Sequence, residues 1–429
     1  MEKFKIHVCA FTIIWSVMVF GQSNLQQIYT ESKKAYDLGD YVTFLDKMLQ
    51  ANKIRSNHPT LLYNLAAAYA LNGKKEKSVN TLKRVVWMDA TLPFQNDGDF
   101  QGLTNFLPYM ELINEVKDLN KIISKGRKAF EINDKSIHPE GVAYSEKQGK
   151  FYIGSVRQRK ILELDKDRAV KEFANVESLN AIMGLKVDDQ NGLLWACSTP
   201  IPEMVGDHEG KVAQVLCFDL KTGKLLESYS APHENAWLGD LTISVDGAIY
   251  VSNSNAENPV VYTVKKGKEE LEVLFKAPNL ISLQGIDLNT EGTKLFIADY
   301  REGIFSYDFE KKKLSAIKYS LHHPLKGIDG LYYHNGSLIA IHNGLKPFRI
   351  MNYQLSDAED EIISFAFIEK ALPEMNEPTL GVMVGDELFY VANSPWNAYN
   401  DDKKLKLEEV AIPLIRKVDV SSILKRKSE

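Results

Sequence analysis

Four polar side chains hold the same place in a phrase that recurs six times after residue 138: Glu140, Asp240, Gln284 and Asp329. Three carboxylates and a carboxamide are rich in acceptor oxygens, and a carboxylate in a suitable environment takes a proton during a reaction. In the remaining two copies that place holds Met183 and Leu380, so the polar groups form an asymmetric set. No other catalytic motif competes with them: the chain has no G-x-S-x-G elbow, no H-E-x-x-H and no Walker loop. Its nine histidines are scattered, and His342 reads first as a hydrogen-bonded wall residue.

The strands that must position these groups are visible in the copies themselves. They read EGVAYSEKQGKFYIGS from Glu140, MGLKVDDQNGLLWACS from Met183, GDLTISVDGAIYVSNS from Gly239, QGIDLNTEGTKLFIADY from Gln284, DGLYYHNGSLIAIHN from Asp329 and LGVMVGDELFYVANS from Leu380. Each is an apolar strand, a short turn rich in Gly, Asn or Asp, and a second apolar strand. Strand-built repeats spaced roughly 40 to 55 residues apart predict a β-propeller, here with six blades around a central channel. Because each blade is an antiparallel meander, the loop into its innermost strand and the loop after its second strand open on one face. The short hairpin turns lie on the other face and carry no chemistry. On the working face the ends of the second strands add Ser155, Ser198, Asn253, Asp299, Asn343 and Asn393, expected to reach the channel. An Asp in the position of Asp299 also ties turns together, which is its alternative role. Two connections on that face are long, 199 to 210 and 394 to 405, and are candidate lids.

HPEGVAY at 138 to 144, GDLTISVDGAIYVSNS at 239 to 254, QGIDLNTEGTKLFIADY at 284 to 300 and GIDGLYYHNGSLIAI at 327 to 341 together resemble the senescence marker protein/gluconolactonase family, which includes regucalcin. More distantly they are similar to the paraoxonase and strictosidine synthase-like propellers. The resemblance spans about residues 126 to 424. It implies a divalent cation in the channel, calcium in many members, and the opening of lactones or other cyclic esters. Residue by residue, the implied metal position falls on Glu140 and Asp329, which match the family's Glu-Gly and Asp-Gly pairs. Gln284 stands where the family has Asn, and Gly239-Asp240 where it has Asn-Asp. The set Glu140, Asp240, Gln284 and Asp329 still offers hard oxygen ligands suited to calcium, with water completing the shell. Catalysis on this reading has the cation polarise a carbonyl while Asp329 or Asp240 serves as general base. Arg157, Asn253, Asn343 and Arg349, with Lys346 beside the last, are the substrate-binding candidates. Solvated surface charge is the other account of the three cations, and backbone bonding the other account of acids at strand starts.

Composition bounds the classes. The chain has 429 residues, 44% hydrophobic and 25% charged, ordinary for a globular protein with room for two or three domains. Residues 1 to 21 read as a cleavable signal, with Lys3 and Lys5 before an apolar run from Val8 to Phe20, and imply a secreted or periplasmic protein. A membrane anchor is the alternative, although the run is shorter than the ~18 residues a span needs. Losing Glu2, Lys3 and Lys5 takes the formal charge from −5 to −6, which argues against nucleic acid and anionic membranes as partners. Cys197 and Cys217 fall on neighbouring strands of one blade, either bonded in an oxidising compartment or packed as small hydrophobes.

Residues 22 to 122 follow a different pattern, helical in period, with Gly39 and Gly73 separated by the 34 positions of a tetratricopeptide repeat. Leu62, Leu65, Ala66, Tyr69, Ser78, Leu82 and Val85 resemble that repeat's packing positions. Two units and a cap are few for a free-standing array, leaving either a groove for a protein partner or a structural appendage. Two functions stay open: a metal-dependent lactonase-type hydrolase, and a non-enzymatic propeller that binds a small ligand or a protein.

Overall fold

A computed structural model describes residues 19–165, 167, 169–174, 176–320 and 323–421. Residues 1–18 of the expected signal segment lie outside these. The chain divides into two compact units, Met1–Val86 with Leu92–Val116, and Trp87–Thr91 with Lys117–Glu429.

The first unit is helical. Its helices are α1 (Val19–Asp37), α2 (Tyr41–Ile54), α3 (Pro59–Leu71), α4 (Lys75–Met88) and α5 (Leu107–Leu119). Gly39 after α1 and Gly73 after α3 adopt φ of +74° and +71°, the left-handed turn that ends a helix at glycine. Each reverses the chain into the next helix, so the 34-residue spacing marks two helical hairpins. Asp40 caps α2 by accepting from Thr43 N at 3.1 Å, and Pro59 opens α3. Ile28, Phe44, Met48, Leu61 and Leu65 form the core between α1, α2 and α3.

The second unit is the six-bladed propeller that the repeated phrase predicts. Blade one consists of Pro139–Ser145, Lys150–Ser155, Lys160–Leu164 and Val170–Ala174, running outward from the channel. Blades two, three and four repeat the meander, with innermost strands Ala181–Asp188, Leu238–Ile243 and Leu283–Leu288. Blade five begins at Ile328–His334 and gains a short parallel strand, Lys318–Tyr319, at its outer edge. Blade six holds Gly381–Val384, Glu387–Val391 and Leu414–Asp419, and its outer strand is Arg127–Glu131 from the start of the unit. This pairing closes the ring by joining the start of the unit to its last blade.

Apolar side chains fill the interfaces between successive sheets, as where Ala196, Leu216 and Phe218 of blade two meet Ala143 and Tyr152 of blade one. Strands covered on both sides explain the continuous apolar runs in the sequence. Cys197 and Cys217 belong to one such interface as buried free thiols, the hydrophobe alternative rather than the bonded one.

One irregularity recurs where it matters. In blades one to five the pairing of the first two strands shifts by one residue at the start of the innermost strand. The extra residue falls at Glu140-Gly141, Met183-Gly184, Gly239-Asp240, Gln284-Gly285 and Asp329. A bulge of this kind re-aims a side chain, so the phrase's polar position is the bulged one. Glycine is required there because neighbouring innermost strands approach closely: a Cβ on Gly141 would lie 2.4 Å from Met183 O, and one on Gly285 2.3 Å from Leu331 N.

Candidate functional site

The bulges turn Glu140, Asp240 and Asp329 into a buried polar layer at the start of the innermost strands. Glu140 Oε2 accepts from the Trp396 indole at 2.9 Å and from Ser394 Oγ at 3.1 Å. Asp329 Oδ2 accepts from Asn343 Nδ2 at 2.7 Å, and Asn343 Oδ1 in turn accepts from Tyr300 OH at 2.8 Å. Asp240 Oδ1 accepts from Leu241 N at 2.9 Å, while its buried Oδ2 has no partner among the described residues. Gln284 donates to Ser282 Oγ at 3.0 Å.

Burial and mutual repulsion set the charge state of this layer. Burial first, then the Asp329 carboxylate, holds the Glu140 carboxyl well above the usual range. Asp329 is pushed up to about 7 by burial, then by Glu377 and Asp240. Asp240 rises to about 6 by burial, moderated by the Lys186 ammonium. Glu377, which the sequence reading did not single out, is raised to about 7 by burial and moderated by Lys346. It lies outside the repeated phrase, so no pattern flagged it.

Most second-strand ends tie loops rather than reach the channel, the alternative role stated for Asp299. Ser155 bonds Ile137 O, Ser198 accepts from Asn180 N, and Asp299 accepts from Ile281 N at 2.6 Å and Ser282 N at 2.8 Å. Asn253 accepts from Trp237 N at 2.8 Å and donates to Asn258 O at 2.8 Å. These residues tie the loop entering the innermost strand, and Asn253's amide is spent there. His342, not Asn343, holds the same place in blade five, bonding Lys326 O at 2.9 Å and Tyr353 OH at 2.8 Å as a wall residue. The side chains that reach the acids come one position later, at Asn343 and Ser394, and Tyr300 at the matching position bonds Asn343, because successive residues of a strand face opposite sides.

Arg349 is fully buried, donating to the carbonyls of Pro347, Trp87 and Lys346 at 3.1 to 3.3 Å. Its charge serves the wall and not a ligand, which corrects the substrate-binding expectation. Arg157 is half-buried, and its charge adds to burial in lowering His138 to about 3. The 394 to 405 loop is folded onto the site, with Tyr399 OH 2.8 Å from His138 Nδ1 and Lys403 3.1 Å from Glu203 in the other long loop.

Glu140, Gln284 and Asp329 each leave one side-chain oxygen without a hydrogen bond among the described residues. Oxygens of this kind are of the hard type that calcium takes. No three His, Cys, Asp or Glu side chains stand together as ligands among the described residues, so the Gln284 carboxamide and water would complete the set. Asp240 faces Lys186 instead, whose Nζ sits 5.1 Å over the Tyr332 ring.

No protein-family model matches the sequence, and no curated protein matches it. Among solved structures the chain is similar to a luciferin-regenerating enzyme, with TM-score 0.50 and 12% identity over 70% of this chain and 96% of that one. A gluconolactonase from Xanthomonas campestris gives TM-score 0.46 and 12% identity over 69% of this chain and 95% of that one. Virginiamycin B lyase from Staphylococcus aureus gives 0.46 and 15% over 64% and 83%. At these identities the likeness is one of fold: the chain is a six-bladed β-propeller preceded by a helical unit.

Proposed function

We propose that the channel binds a small polar molecule and hydrolyses a lactone or related cyclic ester. The observation that carries this is the layer of bulged polar residues in which Glu140, Gln284, Asp329 and Asp240 each keep one side-chain oxygen without a hydrogen bond among the described residues. Glu140, Gln284 and Asp329 would hold a divalent cation, calcium by preference, and its chemistry there is polarisation of the ester carbonyl. Asp240, with Oδ2 unengaged, takes the proton of the attacking water. Asn343 and Tyr300 keep the Asp329 carboxyl in place, and Arg157 at the same face would meet an anionic substituent.

A cleaved segment at 1 to 21 and a secreted or periplasmic location complete the proposal, tested by sequencing the N-terminus of exported protein. The helical unit exposes Leu38 and Val42, each 74% accessible, which supports a protein partner and a tetratricopeptide-like role for the two hairpins.

The alternative, a propeller that binds without catalysis, is favoured by the Trp396 indole already seated on Glu140 and by Gln284 in place of Asn. Calorimetric titration with calcium, on the native protein and on Glu140→Gln, tests the cation site. We expect binding that weakens roughly tenfold or more in the variant. A folded native protein that takes up no calcium would sink the site. A panel of aldonolactones and aryl esters then separates the two functions, since turnover of none would leave binding alone.

A further inference from the structure

The two long connections of the working face meet above blade one. Residues 199 to 210 leave the second strand of blade two and lie on the turn 156 to 159 of blade one, where Val205 N donates to Arg157 O at 2.8 Å and Arg159 donates to Val205 O at 3.2 Å. From blade six the chain makes a long excursion between Val391 and Leu414. Asn393 clasps its base, donating to Ile412 O at 2.9 Å and accepting from Leu414 N at 2.7 Å. Beyond that base the chain folds into a hairpin: Tyr399 pairs with Leu405, Lys406 N donates to Ala398 O at 2.9 Å and Asn400 N to Lys404 O at 3.0 Å. Trp396 joins the apolar cluster that holds Val156 of blade one with Ile201 and Met204 of the blade-two loop. The hairpin then takes two polar contacts, Tyr399 OH to His138 Nδ1 at 2.8 Å and Lys403 to Glu203 at 3.1 Å. Its base is fixed, and its tip is held from two sides.

Both of these holds are slight. One is a single hydrogen bond, and the other is a rim ion pair with the Lys403 side chain half exposed, a kind that adds little. His138 and Lys403 hold φ of +47° and +59°, a left-handed backbone that residues other than glycine keep only under constraint. His138 Nε2 and Glu203 Oε2 are buried with no partner among the described residues, a cost that ends when the hairpin lifts and water reaches them. With the hairpin down, Glu140 and His138 are both buried. We propose that the hairpin 398 to 406 is a gate, hinged on the Asn393 base and latched to His138 and Glu203, which opens to let the channel ligand reach the bulged acids and shuts over it. This rests on the reading of the channel as a ligand site. A shut gate blocks arrival and departure alike, so the open fraction multiplies both rates and leaves affinity in place.

Hydrogen exchange read by mass spectrometry tests the gate without any ligand, on the native protein, Tyr399→Phe and Lys403→Met. The bonded amides of Ala398, Lys404 and Lys406 should exchange as one unit ahead of the blade strands, and about tenfold faster in either variant, with blades one and two unchanged. Protection equal to that of the blade strands, and unmoved in both variants, would overturn the gate. Stopped-flow uptake and release of calcium alone then tests passage. Both rates should rise by one common factor, about tenfold, in the two variants, with Kd little changed. They should fall together when Glu203→Cys and Lys403→Cys are joined by a short bismaleimide, the native Cys197 and Cys217 being buried. A change in Kd with the association rate unaltered would make these residues part of the binding site and overturn the gating role. Failure of the native protein to take up calcium would fell the cation site alone, and the exchange result would still decide the gate.

Discussion

The Trp396 indole donates to Glu140 Oε2 at 2.9 Å, joining the long loop after the last blade's second strand to the first blade's innermost strand. A group that engages Glu140 must therefore be felt by this indole. Calcium added to the native protein should shift tryptophan emission along the binding isotherm, and Trp396→Phe should abolish the shift. An unaltered spectrum at saturating calcium would separate Glu140 from the cation.

Proton linkage in the acidic layer has a definite sign. Asp329 and Glu377 near 7 and Asp240 near 6 lie above the ordinary carboxylate range of about 4, so the folded state binds more protons than the unfolded one between those values. Their contribution to stability is therefore greatest at low pH, falls as pH rises from about 4 to about 7, and levels off above that. Asp329→Asn should flatten this part of a Tm-against-pH curve. Calcium should raise Tm more at pH 8 than at pH 5, because cation and protons compete for the same oxygens. A Tm gain from calcium that is equal at both pH values would contradict the linkage.

Asn253 and Asn343 come from the same kind of position and should separate in their effects. Asn253→Ala frees a buried loop tie and should cost about 1–3 kcal/mol of stability with ligand binding unchanged. Asn343→Ala removes the donor that restrains Asp329 and should raise the Asp329 pKa further, read by carboxyl titration in NMR. Equal stability losses and no shift at Asp329 would refute the distinction.

Closure of the ring has its own buried charge pair. Glu369 of blade five accepts from Arg416 of blade six at 2.7 Å, from Tyr390 OH at 2.5 Å and from Gly126 N at 2.9 Å. Arg416→Met leaves that carboxylate uncompensated and should cost about 3–5 kcal/mol. The double change with Glu369→Leu should cost less than the single, measured by denaturant unfolding. Channel ligands should bind both variants alike, provided that they fold.

Cys197 and Cys217 pack among apolar neighbours, and burial drives both thiols up, Cys217 to about 12. Neither should react with a thiol reagent in the native protein at neutral pH, and both should react in denaturant without prior reduction. Consumption of neither in denaturant without a reductant, and of both after reduction, would show that they pair.

The repeated phrase, with its Gly-marked strands and short turns, determines six blades because alternating apolar strands and tight hairpins are local chemistry. Local spacing also marks Gly39 and Gly73 as turns, since positive φ suits glycine wherever it falls. It picks out Glu140, Asp240, Gln284 and Asp329 because they differ between copies that otherwise agree. The sequence does not fix which way a side chain points at the end of a strand. There a one-residue shift exchanges the channel for the wall, and this is why Asn253 serves the wall while Asn343 reaches Asp329. Glu377 and Trp396 lie outside the repeated phrase, and only the closure of the ring brings the charge of Glu377 to Asp329 and the indole of Trp396 to Glu140. Tertiary structure also decides the charge state, because burial and repulsion between carboxyls from different blades raise proton affinities that each residue alone would keep near ordinary values.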